Sequence, residues 1–320
     1  MNSGRGAALS PGAGGRFDIV SIGASLYDIV LDAPEYPKED TKLKIDRQSF
    51  HCGGPAATGT VAAARLGASA SFLGSFSDDS YSIAMLEDFA RYGVDTSHIV
   101  RQPGLVAGSA IVINSSKTSS RTILWTKGTL PSLAADEVPE ALIAGAKILY
   151  LDGNHIEAAA RACEIAGKSG VKVLLDAGSP YPGIEKIVAA TNILIASEEF
   201  AIRFGGAADP ETAAARIAGK YKPEILIVTQ GEKGGFYMTS GKAIERYPCF
   251  AAPGLIVSTN GAGDVFHGAF AARLLQGKSL RECVLFASAT SAIKCARQGG
   301  REGIPDRNEV EKFLDSALAR

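Results

Sequence analysis

STNGAGDVFHGAF, residues 258–270, sets two glycines, Gly261 and Gly263, directly ahead of an apolar helical run, with Asp264 in its first turn. A tight glycine loop entering a helix leaves backbone N–H groups pointing outward at the positive end of the helix dipole, where anions bind. A carboxylate beside an anion site is oddly placed unless something lies between them. A hydroxyl that loses its proton as it attacks a phosphoryl group meets that requirement. Gly-x-Gly-Asp is also compatible with a plain loop and an acidic helix start. In a chain with 36 glycines among 320 residues the tetrapeptide needs its context.

Length allows one large α/β domain or two small ones, and a net charge of −1 argues against electrostatic binding of nucleic acid or a membrane surface. Residues 1–15, MNSGRGAALSPGAGG, lack the apolar run of a signal peptide and read as a disordered tail. No stretch approaches the roughly 20 apolar residues of a spanning helix. The five cysteines are odd in number and scattered, which suits free buried thiols in a reducing cytoplasm, and the four histidines show no metal-ligand spacing.

Outward from the opening stretch, strand and helix patterns alternate. Residues 17–22 read as a buried strand ending at Gly23, with no dinucleotide fingerprint after it. Asp28, five residues on, is placed to accept hydrogen bonds from a polyol at the ligand-bearing strand ends; a solvated loop acid fits equally well. Residues 43–50 alternate as an exposed strand. Gly53-Gly54-Pro55 then launches a helix of small residues, suited to tight packing on a sheet or to close backbone approach by a ligand.

Apolar runs at 108–114 and 121–126 flank a polar turn and predict a hairpin. With residues 43–50 they make a small sheet lying over the mouth of the main domain or pairing with a second subunit, with Trp125 expected in its core and an interface position as the alternative. From 148 to 195, strands and helices alternate as βαβ units, which predicts a parallel sheet. Asp152 and Asp176 follow strand ends. Gly231 and Gly234 in the turn after strand 225–229 free N–H groups for a phosphate, although a hairpin turn explains them too. His267, one turn after Asp264, reads as a packed or solvated helix residue.

Gly53-Gly54 and STNGAGDVFHGAF at this separation resemble the two signatures of the PfkB, or ribokinase-like, carbohydrate kinases, and the resemblance covers about residues 16–316. VTQGEKGG (228–235) and RQGGREGIP (297–305) fall in the family's order. The resemblance implies a ribokinase-like α/β fold: one domain over 16–320, a mostly parallel sheet flanked by helices, and a β-sheet lid from about 30–52 and 100–127. It implies an ATP-dependent, Mg²⁺-assisted sugar kinase with Asp264 as catalytic base and the backbone of Gly261, Ala262 and Gly263 as anion hole. Asp28, Gly53, Gly54, Thr58 and Asp152 then match sugar-contacting positions. Ser197, Thr229, Gly231, Gly234 and Asn260 fall at the nucleotide. Arg121 projects from the lid, to reach substrate or solvent, and the lid implies a homodimer.

Three departures stand out. Thr58 and Pro55 replace residues that are polar in most members, Thr58 an asparagine, so the hydroxyl pattern read is not that of ribose. Where an N-x-x-E magnesium motif is expected the chain reads Ser197-Glu198-Glu199-Phe200, so a metal-linked carboxylate comes from Glu198 or Glu199, or the metal is held through water and phosphates. Ser258 stands where cation-activated members place an aspartate, so no dependence on a monovalent cation is expected. GGPAAT (53–58), VFHGA (265–269) and AIKCARQGGREGIP (292–305) look most like the sulfofructose-kinase branch, and the lid turn like ketohexokinase. Residues 152–155 offer no arginine for an anionic sugar, which points to a neutral ketose or pentose. Sulfosugar kinase, nucleoside kinase and an idle sugar- or nucleotide-binding regulator stand as alternatives.

Overall fold

Apolar runs too continuous to leave a face in water become the strands of an eight-stranded sheet, covered by helices on both sides. The computed structural model describes residues 16–118 and 120–319; the expectation for residues 1–15 lies outside the described residues. In chain order the elements are β1 (Ile19–Ile22), β2 (Leu26–Ala33), β3 (Arg47–Gly53), α1 (Pro55–Arg65), β4 (Ala70–Leu73), β5 (Ser75–Phe76), α2 (Ser80–Arg91), β6 (Val100–Arg101), β7 (Ser109–Ser115) and β8 (Ser120–Thr126). There follow α3 (Glu140–Ala144), β9 (Ile148–Leu151), α4 (Ile156–Ser169), β10 (Lys172–Ala177), α5 (Ile184–Val188), β11 (Ile193–Ser197), α6 (Glu198–Gly205), α7 (Pro210–Tyr221) and β12 (Ile225–Thr229). The chain closes with β13 (Gly235–Thr239), β14 (Glu245–Tyr247), α8 (Ala262–Leu275), α9 (Leu280–Cys295) and α10 (Arg307–Leu318).

The large sheet runs β14-β13-β12-β11-β10-β9-β1-β4, parallel from β4 through β12 and antiparallel beyond. Alternate side chains enter two cores. Tyr150, Leu174 and Ile195 face α1, α8 and α9, while Leu149, Leu175 and Leu194 face α4 to α7. The small residues of α1 serve close approach. A Cβ on Gly268 of α8 would overlap the Gly59 carbonyl, and one on Gly59 would overlap the Tyr150 ring. This crossing sets the height of α8, and with it Asp264, above the strand ends.

The lid is a four-stranded sheet, β3-β2-β7-β8, in which β2 runs parallel to β7 and the outer pairs are antiparallel. Two expectations need correction. Asp28 lies inside lid strand β2, not in a loop beyond β1, because the apolar run from Leu26 continues the chain straight into the second sheet. Trp125 is 68% exposed: β8 is an edge strand, and the tryptophan stands at the open mouth of the lid's inner face.

Candidate active site

Two helices, α1 and α8, begin side by side on left-handed glycines, Gly54 (φ 94°) and Gly261 (φ 73°). Pro55 at the first position of α1 forfeits no hydrogen bond, since that N–H has no intrahelical acceptor. The loop into α8 is anchored from behind by α9: the amides of Val257 and Ser258 donate to the Cys295 carbonyl (2.8 and 3.1 Å), and Ser291 Oγ donates to the Ala262 carbonyl (2.8 Å). Ala262 N–H turns back onto the Thr259 carbonyl (3.2 Å). The amides of Gly261 and Gly263 have no backbone acceptor among the described residues, so these two, without Ala262, are available to an anion.

Asp264 is half-buried in the first turn of α8. Burial, and next the Asp176 carboxylate, push it up to about 7. Beneath it lies a polar network that sequence patterns did not expose. His267 Nδ1 lies 2.6 Å from the Gly263 carbonyl, and its Nε2 lies 3.3 Å from both the Ile195 carbonyl and Asp176 Oδ1. Burial lowers His267 and raises Asp176 to about 8, and the Tyr150 hydroxyl donates to the second Asp176 oxygen at 3.1 Å. His267 is therefore packed, and it fixes the carbonyl of one of the two anion-binding residues.

A cavity of about 430 Å³ opens between the strand ends and the lid, lined among others by Asp28, Gly54, Asn154, His155, Tyr181 and Asn260. Asp28 is pushed up to about 6 by burial, against the pull of Arg301, and a Cβ on Gly53 would overlap its carboxylate. His155 Nδ1 accepts from Leu133 N–H (3.0 Å), which requires the neutral ring that its burial favours. Two expected sugar contacts are spent elsewhere. Asp152 accepts from Ala24 N–H, Ala56 N–H, Asn154 N–H and the Asn154 amide (2.8 to 3.0 Å), pinning α1 to β9. Thr58 is buried behind Gly261 and receives Arg301 Nε at 3.4 Å, so its hydroxyl does not line the cavity.

On the far side of the loop a second cavity, about 540 Å³, is lined by Thr229, Gly231, Gly234, Phe250, Ala262 and Gly263, among others. Tyr247 also lines it, its hydroxyl buried against Gly235 with no partner among the described residues. Ser197 caps α6, accepting from Phe200 N–H (2.9 Å) and donating to the Gly178 carbonyl (2.7 Å), which leaves it no role at a ligand. Glu199 pairs with Arg203 on the exposed side of α6 (2.7 Å). Glu198 accepts from Gln230 Nε2 (2.9 Å) beside the glycine turn, while the carboxylate that lines this cavity is that of Glu232. Arg121 reaches down from β8 to Thr259 Oγ1 (3.0 Å), tying lid to loop.

Arg301 escaped notice in the sequence because one arginine in a glycine-rich loop reads as solvated. It is buried, with Nη1 on Asp88 (2.7 Å), Nη2 on the Gly53 carbonyl (2.7 Å) and its plane over Phe89. It holds β3 and the start of α1 together beneath Asp28. No helix among the described residues is long and apolar enough to cross a membrane.

The profile of the pfkB family of carbohydrate kinases matches residues 16–307. Ribokinase of Haemophilus influenzae is 31% identical over 310 residues, covering 94% of this chain and 100% of that protein. 5-Dehydro-2-deoxygluconokinase of Halalkalibacterium halodurans is 28% identical over 324 residues, 93% and 95% of the two chains. A putative ribokinase from Agrobacterium tumefaciens superposes with a TM-score of 0.86 at 25% identity, over 96% of this chain and 100% of that one. A putative ribokinase II from E. coli in complex with ATP and Mg²⁺ superposes with a TM-score of 0.82 at 20% identity, over 93% and 99%.

Proposed function

This chain belongs to the pfkB family of carbohydrate kinases, and from that footing we propose that it transfers the γ-phosphoryl group of ATP to a hydroxyl of a small sugar held under the lid. The observation that carries the proposal is the position of the loop entering α8: Asn260 lines the lid-side cavity while Ala262 and Gly263 line the other. A phosphoryl group crossing from one cavity to the other passes the amides of Gly261 and Gly263 and the carboxylate of Asp264. In this account Asp264 takes the proton of the attacking hydroxyl, and the helix N-terminus balances charge on the phosphoryl oxygens. Asp28 and the Gly54 backbone orient the sugar.

The second cavity suits a nucleotide. Its walls are apolar at Phe250, Ile256 and Phe266, and its glycine turn lies beside the anion loop. Magnesium ordinarily takes one or two carboxylates together with water and phosphates. Glu232, which lines the cavity, or Glu198 beside the glycine turn, with no cluster of three ligands among the described residues, fits that pattern. When bound, the ion supplies charge balance on the phosphates.

The substrate proposed is a neutral ketose or pentose. A second reading, an anionic sugar acid, is favoured by Lys127, which lines the lid-side cavity, and by the 5-dehydro-2-deoxygluconokinase relative. ADP release measured across ribose, deoxyribose, ketoses, sulfosugars, nucleosides and 5-dehydro-2-deoxygluconate tests both. Turnover is expected with a neutral furanose or ketose. If only the acid turns over, Lys127 is the reader. Silence with every sugar, alongside clear thermal stabilisation by ligands, contradicts the kinase proposal.

The lid's outer face carries a cross-strand row, Phe50, Ile29, Ile111 and Leu124, in register across all four strands. Three of its members are 39–53% exposed. The proposed occupant of this row is the same face of a second copy. Sedimentation should give a dimer, and Leu124→Glu a monomer. A wild-type monomer at micromolar concentration, or a dimer untouched by the substitution, removes the proposal.

A further inference from the structure

Helix α9 is apolar on nearly all sides, yet Lys294 in its last turn is 0% exposed. Among the described residues no carboxylate lies within ion-pair distance of its ammonium. Its Nζ donates instead to two backbone carbonyls, those of Ser258 (2.9 Å) and Asn260. Both belong to the segment that turns into α8, immediately ahead of the amides of Gly261 and Gly263. An unpaired buried ammonium is expensive to desolvate, and chains ordinarily place a carboxylate beside it. Here the direct contacts are carbonyl dipoles, with the charges of Asp264 and Glu302 acting from beyond ion-pair distance.

Two carbonyls aimed at one point repel each other unless a cation stands between them, the arrangement by which carbonyl oxygens replace the hydration shell of a monovalent ion. With its carbonyls drawn inward to that charge, a peptide segment turns its N–H groups the other way. In this loop the other way is toward the gap between the two cavities. The side chain is tethered on the same helical turn that receives the amides of Val257 and Ser258 at the Cys295 carbonyl, so one helix end fixes both polarities of the loop.

We propose that Lys294 is a built-in monovalent cation: a positioning residue whose ammonium organises the anion loop and places a fixed positive charge beneath the phosphoryl path, so that the enzyme works without an added monovalent ion. Burial lowers its ionisation to about 8, which leaves the group mostly charged at neutral pH. The inference deepens the kinase proposal and rests on it for the rate measurements, whereas nucleotide binding tests it without any sugar.

The experiment compares wild type, Lys294→Ala and Lys294→Arg in choline, sodium and potassium chloride. ATP-induced thermal stabilisation is read first, and turnover with whichever sugar is accepted is read second. Wild type is expected to behave alike in the three salts. Lys294→Ala in choline should lose kcat on the order of 10²-fold, the scale of a lost oxyanion donor, with sugar KM changed less than about threefold. Potassium should restore at least about tenfold of that loss by entering the vacated carbonyl site, as should Lys294→Arg. The proposal is overturned by a wild type whose ATP-induced stabilisation or turnover requires potassium. It is equally overturned by Lys294→Ala that matches wild type in choline, or that no cation rescues. If Lys294→Ala does not fold, Lys294→Met keeps the volume, and full kcat in that variant overturns the proposal. Failure of wild type to phosphorylate any sugar counts against the kinase proposal alone, since the stabilisation measurements still decide the role of the lysine.

Discussion

Asp264→Asn is expected to lower kcat by on the order of 10²–10⁴-fold, the range for loss of a positioned general base, while ATP still stabilises the protein against heat. The asparagine keeps the size of the side chain and the start of α8 but cannot take the proton of the attacking hydroxyl. The pH dependence supplies a second signature. Asp264 acts as the carboxylate, and burial with the neighbouring Asp176 raises it to about 7, so kcat/KM should fall as pH drops through about 7, and should fall again above about 8 as the Lys294 ammonium loses its proton. The asparagine variant should lack the acid limb at about 7. An Asp264→Asn enzyme within a few-fold of wild type, or a wild-type limb centred near the ordinary carboxylate value, takes the base role away from this residue.

Arg301→Met should be strongly destabilising, by about 3 kcal/mol, the low end of the range for breaking a buried pair, because it leaves the buried Asp88 carboxylate with only the exposed Arg91 as a partner. Methionine keeps much of the contact with Phe89, so the loss reports mainly the half-paired Asp88 carboxylate and the Gly53 carbonyl deprived of its arginine donor. The double variant Arg301→Met/Asp88→Leu should recover much of the deficit, since two apolar groups replace the pair. The functional trace lies at the sugar. Arg301 opposes the upward push on Asp28, so its removal favours the protonated carboxyl and should raise the sugar KM more than the ATP KM. A loss of less than about 1 kcal/mol, or a double variant no better than the single, contradicts this account.

Much of the architecture was legible because parallel strands buried on both faces must be apolar throughout, and 148–195 contains three such runs with helices between. The glycine starts of α1 and α8 were equally plain, since a loop needing positive φ and close approach leaves little choice of residue. Asp28 was located by motif but assigned to the wrong kind of element, because the sheet it belongs to is built from segments far apart in the chain. Trp125 was placed in a core that the edge position of β8 does not provide. Four residues given ligand roles, Thr58, Asp152, Ser197 and Glu199, are engaged by the protein itself: a motif conveys position, while hydrogen-bond partners arrive only with tertiary structure. Arg301 and Lys294 went unread for the converse reason. Each is a lone basic residue whose burial depends on contacts with distant carbonyls or carboxylates, although a lysine directly after the apolar run 283–293 is a visible irregularity.

The lid adds a link between fold and chemistry. Its inner face brings Asp28, Trp125 and Arg121 over the strand ends, and Arg121 already touches Thr259 of the anion loop. Closure of the lid over a sugar would therefore be felt at the loop that receives the phosphoryl group, which is the coupling a kinase needs to keep water from the reaction.

Transfer of label from ATP radiolabelled at the γ-phosphate, in the presence of an accepted sugar, tests the central claim most directly. Wild type should deliver the label to a sugar phosphate in step with ADP, and Asp264→Asn should deliver almost none over the same time. Label appearing only as inorganic phosphate, or on the sugar at equal rates in both proteins, would contradict phosphoryl transfer to a hydroxyl deprotonated by Asp264.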